Sequence, residues 1–169
     1  QAPSFGIVPE VAIAKLLNLT PDDLAPDLNP EVISCGLPFL YIPLASEAAL
    51  NRCSLNLPVW EKALKNTEAV NIYPFFVAEK QTIQARMFAP ALGIAEDPAT
   101  GSAATALAGY LDKYFPNDKR MSPWQIHQGI KMGRPSQLTL IIQKNPGEKL
   151  GIAVAGSSVL VSEGVLNLP

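Results

Sequence analysis

The chain has 169 residues, of which 48% are hydrophobic and 17% charged, so it can bury a core as one globular domain or one large half of a two-domain protein. Its 13 basic and 15 acidic residues give a formal net charge of −2, and no basic stripe argues for a nucleic-acid partner. The longest apolar stretch, residues 36–45, is shorter than the ~20 residues of a spanning helix, so no membrane partner is expected. Two cysteines, Cys35 and Cys53, do not indicate a disulfide scaffold, and we expect a cytoplasmic protein.

The first half of the sequence alternates short helical and strand patterns. Pro9 opens an apolar periodicity that predicts a helix over 9–19, and Ser46 and Pro58 are typical of the starts of two more short helices. Strands are predicted at 32–34 and 39–42, where Gly36 turns the chain back, and at 70–77 and 83–88, which are close enough for an antiparallel hairpin.

The second half places one helix among strands. Residues 101–115 are apolar on every side and rich in Ala and Gly, which predicts a buried helix that neighbouring strands can approach closely. Strands are predicted at 124–128, 137–143, 150–155 and 159–165. The fold class is therefore α+β, with a mostly strand-built second half.

The segment from Glu96 to Ser102, at the start of that helix, carries the strongest chemical signal. A helix N-terminus offers unpaired N–H groups and a positive dipole end that together hold a carboxylate or phosphate. Gly101 and the small Ser102 would let a ligand approach, and Asp97 could accept a hydrogen bond from a substrate or take part in proton transfer. The alternative is structural, with Asp97 as N-cap and Pro98 as the first helical residue.

A second candidate segment runs from His127 to Ser136, where Gly129 and Gly133 lie beside a strand end. Such a loop could present its backbone to a ligand, whereas the structural alternative is a bulge or hairpin turn with Arg134 as a surface cation. His127, the sole histidine, is interpreted as structural. One histidine and two scattered cysteines do not make a metal site, so neither a metal nor a cofactor is expected.

Three stretches together resemble one known family. They are EDPATGSAA at 96–104 followed by Tyr110-Leu111, QGIKMGRPS at 128–136, and SCGLPFL at 34–40. They are similar to the C-terminal domain of the phenazine-biosynthesis PhzF-like proteins, which have the diaminopimelate-epimerase structural class. The resemblance spans nearly the whole chain and implies a curved, barrel-like mixed sheet wrapped around a central buried helix, here residues 101–115.

The resemblance also implies a domain organisation and a site. It implies that residues 1–169 form a single domain, the C-terminal half of a two-domain protein whose N-terminal domain is absent, with the active site in the cleft between the halves. The family's cleft-lining aspartate and serine correspond to Asp97 and Ser102, which we take as catalytic candidates. The substrate-binding candidates are Thr100, Gly101, Gln128, Gly129 and Gly133.

The activity implied by the resemblance is a cofactor-independent proton transfer on a small carboxylate-bearing substrate. The family uses a glutamate of the N-terminal domain as acid and base, and this chain has no counterpart, so the isolated chain is expected to be inactive. The family's related racemases use a cysteine pair, which the helix-start loop lacks. The alternative is a non-catalytic anion-binding or interaction domain without its partner half. The exposed apolar surface of an isolated half also predicts a possible homodimer.

Overall fold

Eight strands form one mixed sheet in which the spatial order follows the chain order, β1 to β8. The computed structural model describes residues 1–79, 81–116 and 119–166. The strands are β1 Ser4–Gly6, β2 Glu31–Ser34, β3 Pro38–Pro43, β4 Ile72–Val77, β5 Thr82–Ala85, β6 Met121–Gln128, β7 Ser136–Gln143 and β8 Gly151–Gly156. The helices are α1 Ile13–Leu16, α2 Glu47–Arg52, α3 Leu57–Ala63 and α4 Gly101–Tyr114.

Two parallel pairs interrupt an otherwise antiparallel sheet. β3 pairs with β4, and β5 with β6, in parallel, so each pair needs a crossover connection. The first crossover carries α2 and α3, and the second carries α4. Because α4 packs against β2, β3, β7 and β8, the sheet curls around it. The expected architecture, a curved mixed sheet around a central buried helix, is confirmed.

The helices on the two faces of the sheet build two cores. The inner core joins α4 to the concave side of the sheet, with Leu107, Tyr110 and Ile126 fully buried. The outer core packs α1, α2 and α3 on the other face, with Leu16 and Leu64 fully buried. Alternate strand residues point to opposite faces, so β3 and β4 supply side chains to both cores.

The predicted helix over 9–19 is wrong in extent, because α1 covers only Ile13–Leu16. Ala12 has an extended backbone, and Asn18 takes a left-handed φ of 53°, so the helical hydrogen bonds stop after one turn. Asn18 tolerates this conformation, and its amide donates to the Ser54 hydroxyl at 3.0 Å.

The predicted strand over 159–165 is also wrong, because these residues pair with no strand in the described part of the chain. Val159, Val161 and Val165 are 84%, 88% and 91% exposed. An apolar run becomes a strand only when a neighbour takes its backbone hydrogen bonds, and this run follows β8, the edge of the sheet, without returning to it.

The other predicted helices and strands are found, although β5 ends at Ala85 and the strand predicted over 83–88 is therefore too long. The Ser46 hydroxyl caps α2 by accepting from the Ala49 N–H, and β2 with β3, and β4 with β5, form the two expected antiparallel pairs. None of the helices in the described residues is long and apolar enough to cross a membrane.

Candidate functional site at the start of helix α4

The N-terminus of α4 follows the 97–100 loop, and within the described residues it has no side-chain cap. Thr100 is the N-cap residue, with φ −116° and ψ 90°, and no side chain accepts from the first helical N–H groups. Gly101 and Ser102 are exposed, and a Cβ built on Gly101 meets no atom within 4 Å. An exposed helix N-terminus combines free N–H groups with the positive end of the dipole, so this end can bind an anion.

The alternative in which Asp97 caps the helix is wrong. The helix begins three residues later than that reading requires, at Gly101, because the Thr100 backbone is extended and its N–H points to the Gln128 side chain at 3.4 Å. Asp97 is held instead from two sides. Its own N–H donates to the Met87 carbonyl at 3.0 Å, and its Oδ2 accepts from the Thr100 hydroxyl at 2.5 Å.

Gln128 joins the two candidate segments. It ends β6, is fully buried, and donates through Nε2 to the Asp97 carbonyl at 2.7 Å and to the Thr100 hydroxyl oxygen at 2.9 Å. Its Oε1 accepts from the Tyr73 hydroxyl at 3.2 Å. The structure therefore places Gln128 behind the Asp97 to Thr100 loop, where it contacts protein groups, and substrate contact by this residue stays a prediction.

Tyr73 is the innermost member of this hydrogen-bonded group. Its ring is fully buried on β4, and burial, with the nearby Asp97 charge as a further cause, raises its pKa well above the ordinary value for a phenol. The Tyr73 hydroxyl therefore keeps its proton and donates it to Gln128 Oε1.

Gly129 lets the β6–β7 connection pack against the loop before α4. Its φ is 77°, and an added Cβ would stand 2.3 Å from the Arg134 carbonyl oxygen and 2.9 Å from the Pro98 carbonyl oxygen. Gly133, four residues on, has a similar φ of 75° but open space around it. Gly129 thus serves close packing, the structure makes this segment a hairpin connection, and ligand contact by Gly129 or Gly133 stays a prediction.

A buried ion pair holds the same loop at its beginning. Arg86, just after β5, donates to both carboxylate oxygens of Glu96, at 2.9 and 2.8 Å, and to the Cys53 carbonyl at 2.5 Å. The two side chains are only 11% and 12% exposed. Burial alone would lower the pKa of Arg86, but the hydrogen bonds to Glu96 and the neighbouring Cys53 raise it, so the cation is kept.

A groove of about 760 Å³ runs beside this loop, with Ala99, Pro135 and Ser157 in its lining. Asp97, Gly101 and Ser102 are not among the residues that line the groove, although Ala99 of the same loop is.

His127 points away from the site, because it alternates along β6 with the inward-facing Ile126 and Gln128. In the part of the chain that the structure describes, no three His, Cys, Asp or Glu side chains are grouped to hold a metal ion.

Sequence reasoning missed Arg86 and Tyr73. Each has a weak signal in the sequence, a single cation after an apolar strand and a tyrosine within one. Their partners Glu96 and Gln128 are 10 and 55 residues away, and only the folded sheet brings them together.

A curved mixed sheet around one buried helix with an exposed N-terminus defines the structural class. The family called "Phenazine biosynthesis-like protein" (PhzC-PhzF) matches residues 3–164, and the chain belongs to this family.

Individual relatives agree with this assignment, and a solved structure shares the fold. An "Uncharacterized isomerase" of Mesorhizobium japonicum is 32% identical over 162 residues, which cover 92% of this chain and 54% of the relative. The "Trans-2,3-dihydro-3-hydroxyanthranilate isomerase" of Pseudomonas fluorescens is 34% identical over 107 residues, 63% of this chain and 38% of that protein. A Bacillus anthracis protein described as a phenazine biosynthesis protein of the PhzF family superposes with a TM-score of 0.82 at 24% identity, over 93% of this chain and 55% of that one. The chain thus spans about half the length of the relatives that it matches over nearly its whole length.

Proposed function

We propose that this chain is one half of an isomerase that moves a proton on a small carboxylate-bearing substrate without a cofactor. The observation that carries the proposal is the uncapped, exposed N-terminus of α4 with Asp97 beside it. The names of the relatives support the reaction class, since several are isomerases and one acts on a hydroxyanthranilate.

The site is suited to bind a carboxylate and to orient a second polar group. The N–H groups of Gly101 and Ser102 would hold the substrate carboxylate at the positive end of the helix dipole. The Ser102 hydroxyl, exposed in the first turn, would add a donor, and the free oxygen of Asp97 would accept from a substrate amine or hydroxyl.

A second half of the protein would complete the reaction. We propose that the present chain is the C-terminal half and that the proton is shuttled by a glutamate of an N-terminal half across the cleft. Such a division fits a chain that matches only 54% of a relative, and it fits a site that lies on the surface of this half. The isolated chain would then bind the substrate carboxylate without turning the substrate over.

Deuterium incorporation tests the proposal. The chain is assayed alone and together with an N-terminal half of the family, with trans-2,3-dihydro-3-hydroxyanthranilate in D₂O, and the product is analysed by NMR. We expect incorporation of one solvent deuteron by the paired form only, and a loss of about 100-fold or more in Asp97→Asn. Asp27→Asn, at an exposed carboxylate outside the helices and strands, is the matched control and should keep full activity.

A non-catalytic anion-binding domain is the second candidate. It is favoured by the observation that the chain covers only 54% of the Mesorhizobium japonicum relative. In that case benzoate would shift the amide resonances of Gly101 and Ser102 in the isolated chain, while the paired form would show no incorporation. An active paired form in which Asp97→Asn is as fast as the unchanged protein would contradict the catalytic assignment.

A further inference from the structure

The side-chain amide of Gln128 has one possible orientation. Its Nε2 faces the Asp97 carbonyl and its Oε1 faces the Thr100 N–H. A flipped amide would set oxygen against a carbonyl oxygen and N–H against N–H, and neither backbone group can change its role. Backbone chemistry therefore fixes which end of the amide is the donor.

The fixed amide in turn fixes the direction of the Thr100 hydroxyl. The second N–H of Gln128 Nε2 donates to Thr100 Oγ1 at 2.9 Å, so this hydroxyl already acts as an acceptor. A hydroxyl has one proton, and the remaining partner of Thr100 Oγ1 is Asp97 Oδ2 at 2.5 Å. The proton of Thr100 must point at Asp97, and the chain of hydrogen bonds runs in a single direction.

Burial keeps water away from these hydrogen bonds, so water cannot substitute for either partner. Gln128 is 0% exposed, Thr100 is 7% exposed, and Tyr73, which donates to the other face of Gln128 Oε1, is 0% exposed. Water cannot reach the amide, and a substrate at the exposed helix N-terminus would meet Asp97 and Ser102 before it met Gln128. The amide has no spare donor, since both N–H groups are already engaged.

We propose that Gln128 is a positioning residue, which turns the Thr100 hydroxyl toward Asp97 and so holds that carboxylate with its Oδ1 free for the substrate. The inference rests on the proposed function, because it presumes that Asp97 meets the substrate. In this proposal Gln128 does not bind the substrate itself and acts on Asp97 through Thr100.

Gln128→Glu tests the inference, because the introduced carboxyl keeps the shape of the amide and loses its donors when it is ionised. The Thr100 hydroxyl would then donate to the introduced carboxylate and leave Asp97. In the paired form we expect kcat to fall about 100-fold while KM stays within about twofold, as for a misplaced reacting group. The loss should deepen as the pH rises, because a protonated carboxyl can still donate to Thr100 and an ionised one cannot.

The matched control is Gln125→Glu, on the same strand and the opposite face. Gln125 Oε1 accepts from the Gln137 amide at 3.0 Å and from the Thr139 hydroxyl at 3.3 Å, and a carboxylate accepts these bonds equally well. Its kinetics should match the unchanged protein at every pH. Where Gln128→Glu does not fold, Gln128→Met keeps the volume, removes both donors, and should likewise lower kcat more than it changes KM.

A second readout separates this inference from the proposed function. The buried Thr100 hydroxyl proton should give a slowly exchanging NMR resonance in the unchanged chain, and Gln125→Glu should keep it while Gln128→Glu loses or shifts it. If the paired form shows no turnover, the proposed function is wrong, and this resonance then decides only whether Gln128 turns the Thr100 hydroxyl toward Asp97. Unchanged kinetics in a folded Gln128→Glu, or an unchanged resonance, would overturn it.

Discussion

The two ends of helix α4 are held in different ways. At the C-terminal end Tyr110 stacks on Tyr114 with ring centroids 4.5 Å apart and meets Phe75 edge-on at 5.0 Å, while Phe115 packs on Trp124. At the N-terminal end no side chain caps the helix. The preceding loop is held from behind, by the Arg86–Glu96 pair and by Gln128.

The difference has a physical reason. Apolar contacts stabilise only when they remove surface from water, so aromatic packing over Gly101 and Ser102 would cover the exposed N–H groups of the first turn. A few hydrogen bonds and an ion pair, by contrast, can hold a loop through contacts on one side only and leave its other side exposed. The C-terminal end of α4 is therefore enclosed by aromatic side chains, while Gly101 and Ser102 at the N-terminal end stay exposed.

The largest expected effect is at the aromatic end. Tyr110→Ala would remove a fully buried ring and its hydrogen bond to the Asn29 carbonyl, and should cost about 4 kcal/mol of unfolding free energy. Chemical denaturation measures the change. Lys113→Ala, at an exposed position of the same turn, should leave the midpoint nearly unchanged. Equal effects of the two variants would contradict the assignment of stability to the aromatic cluster.

The buried ion pair should give the next largest effect. Arg86→Met keeps an unbranched side chain but leaves the Glu96 carboxylate buried without its partner, which should cost about 3 kcal/mol. The double change Arg86→Met with Glu96→Met should recover part of this loss, because no lone charge remains although the Cys53 and Leu50 carbonyls lose their donor. Arg52→Met, which breaks an exposed pair with Asp23, is the control and should alter the denaturation midpoint little. A double variant that is less stable than Arg86→Met would refute the pairing argument.

The smallest expected difference, about 2 kcal/mol, is between two glycines with the same backbone conformation. Gly133→Ala should cost about 1 kcal/mol for left-handed strain alone, because nothing lies near its Cβ position. Gly129→Ala carries the same strain and a Cβ 2.3 Å from a carbonyl oxygen, so it should cost about 2 kcal/mol more. It should also broaden the amide signals of residues 97–100, which Gly133→Ala would spare. Similar costs would mean that the close contacts with the Arg134 and Pro98 carbonyl oxygens are unimportant.

The candidate site was predictable in its parts and not in its connections. The exposed start of α4 with Asp97 nearby follows from a short stretch of sequence, since a helix start is a local signal. The choice of Thr100 over Asp97 as N-cap does not, because the N–H of Thr100 is claimed by Gln128, 28 residues away. The same holds for Arg86, whose role depends on Glu96 and on the Cys53 carbonyl across the outer core.

The sequence by itself determined the elements whose causes are local. These include the Ser46 cap of α2, the β2–β3 turn at Gly36, and the all-round apolar pattern that makes α4 a buried helix. Tertiary structure alone decided that the helix predicted over 9–19 shrinks to one turn and that 159–165 forms no strand. Strand pairing and buried hydrogen bonds join residues far apart in the chain, so no window of sequence contains both partners, and only the folded sheet can settle which groups meet.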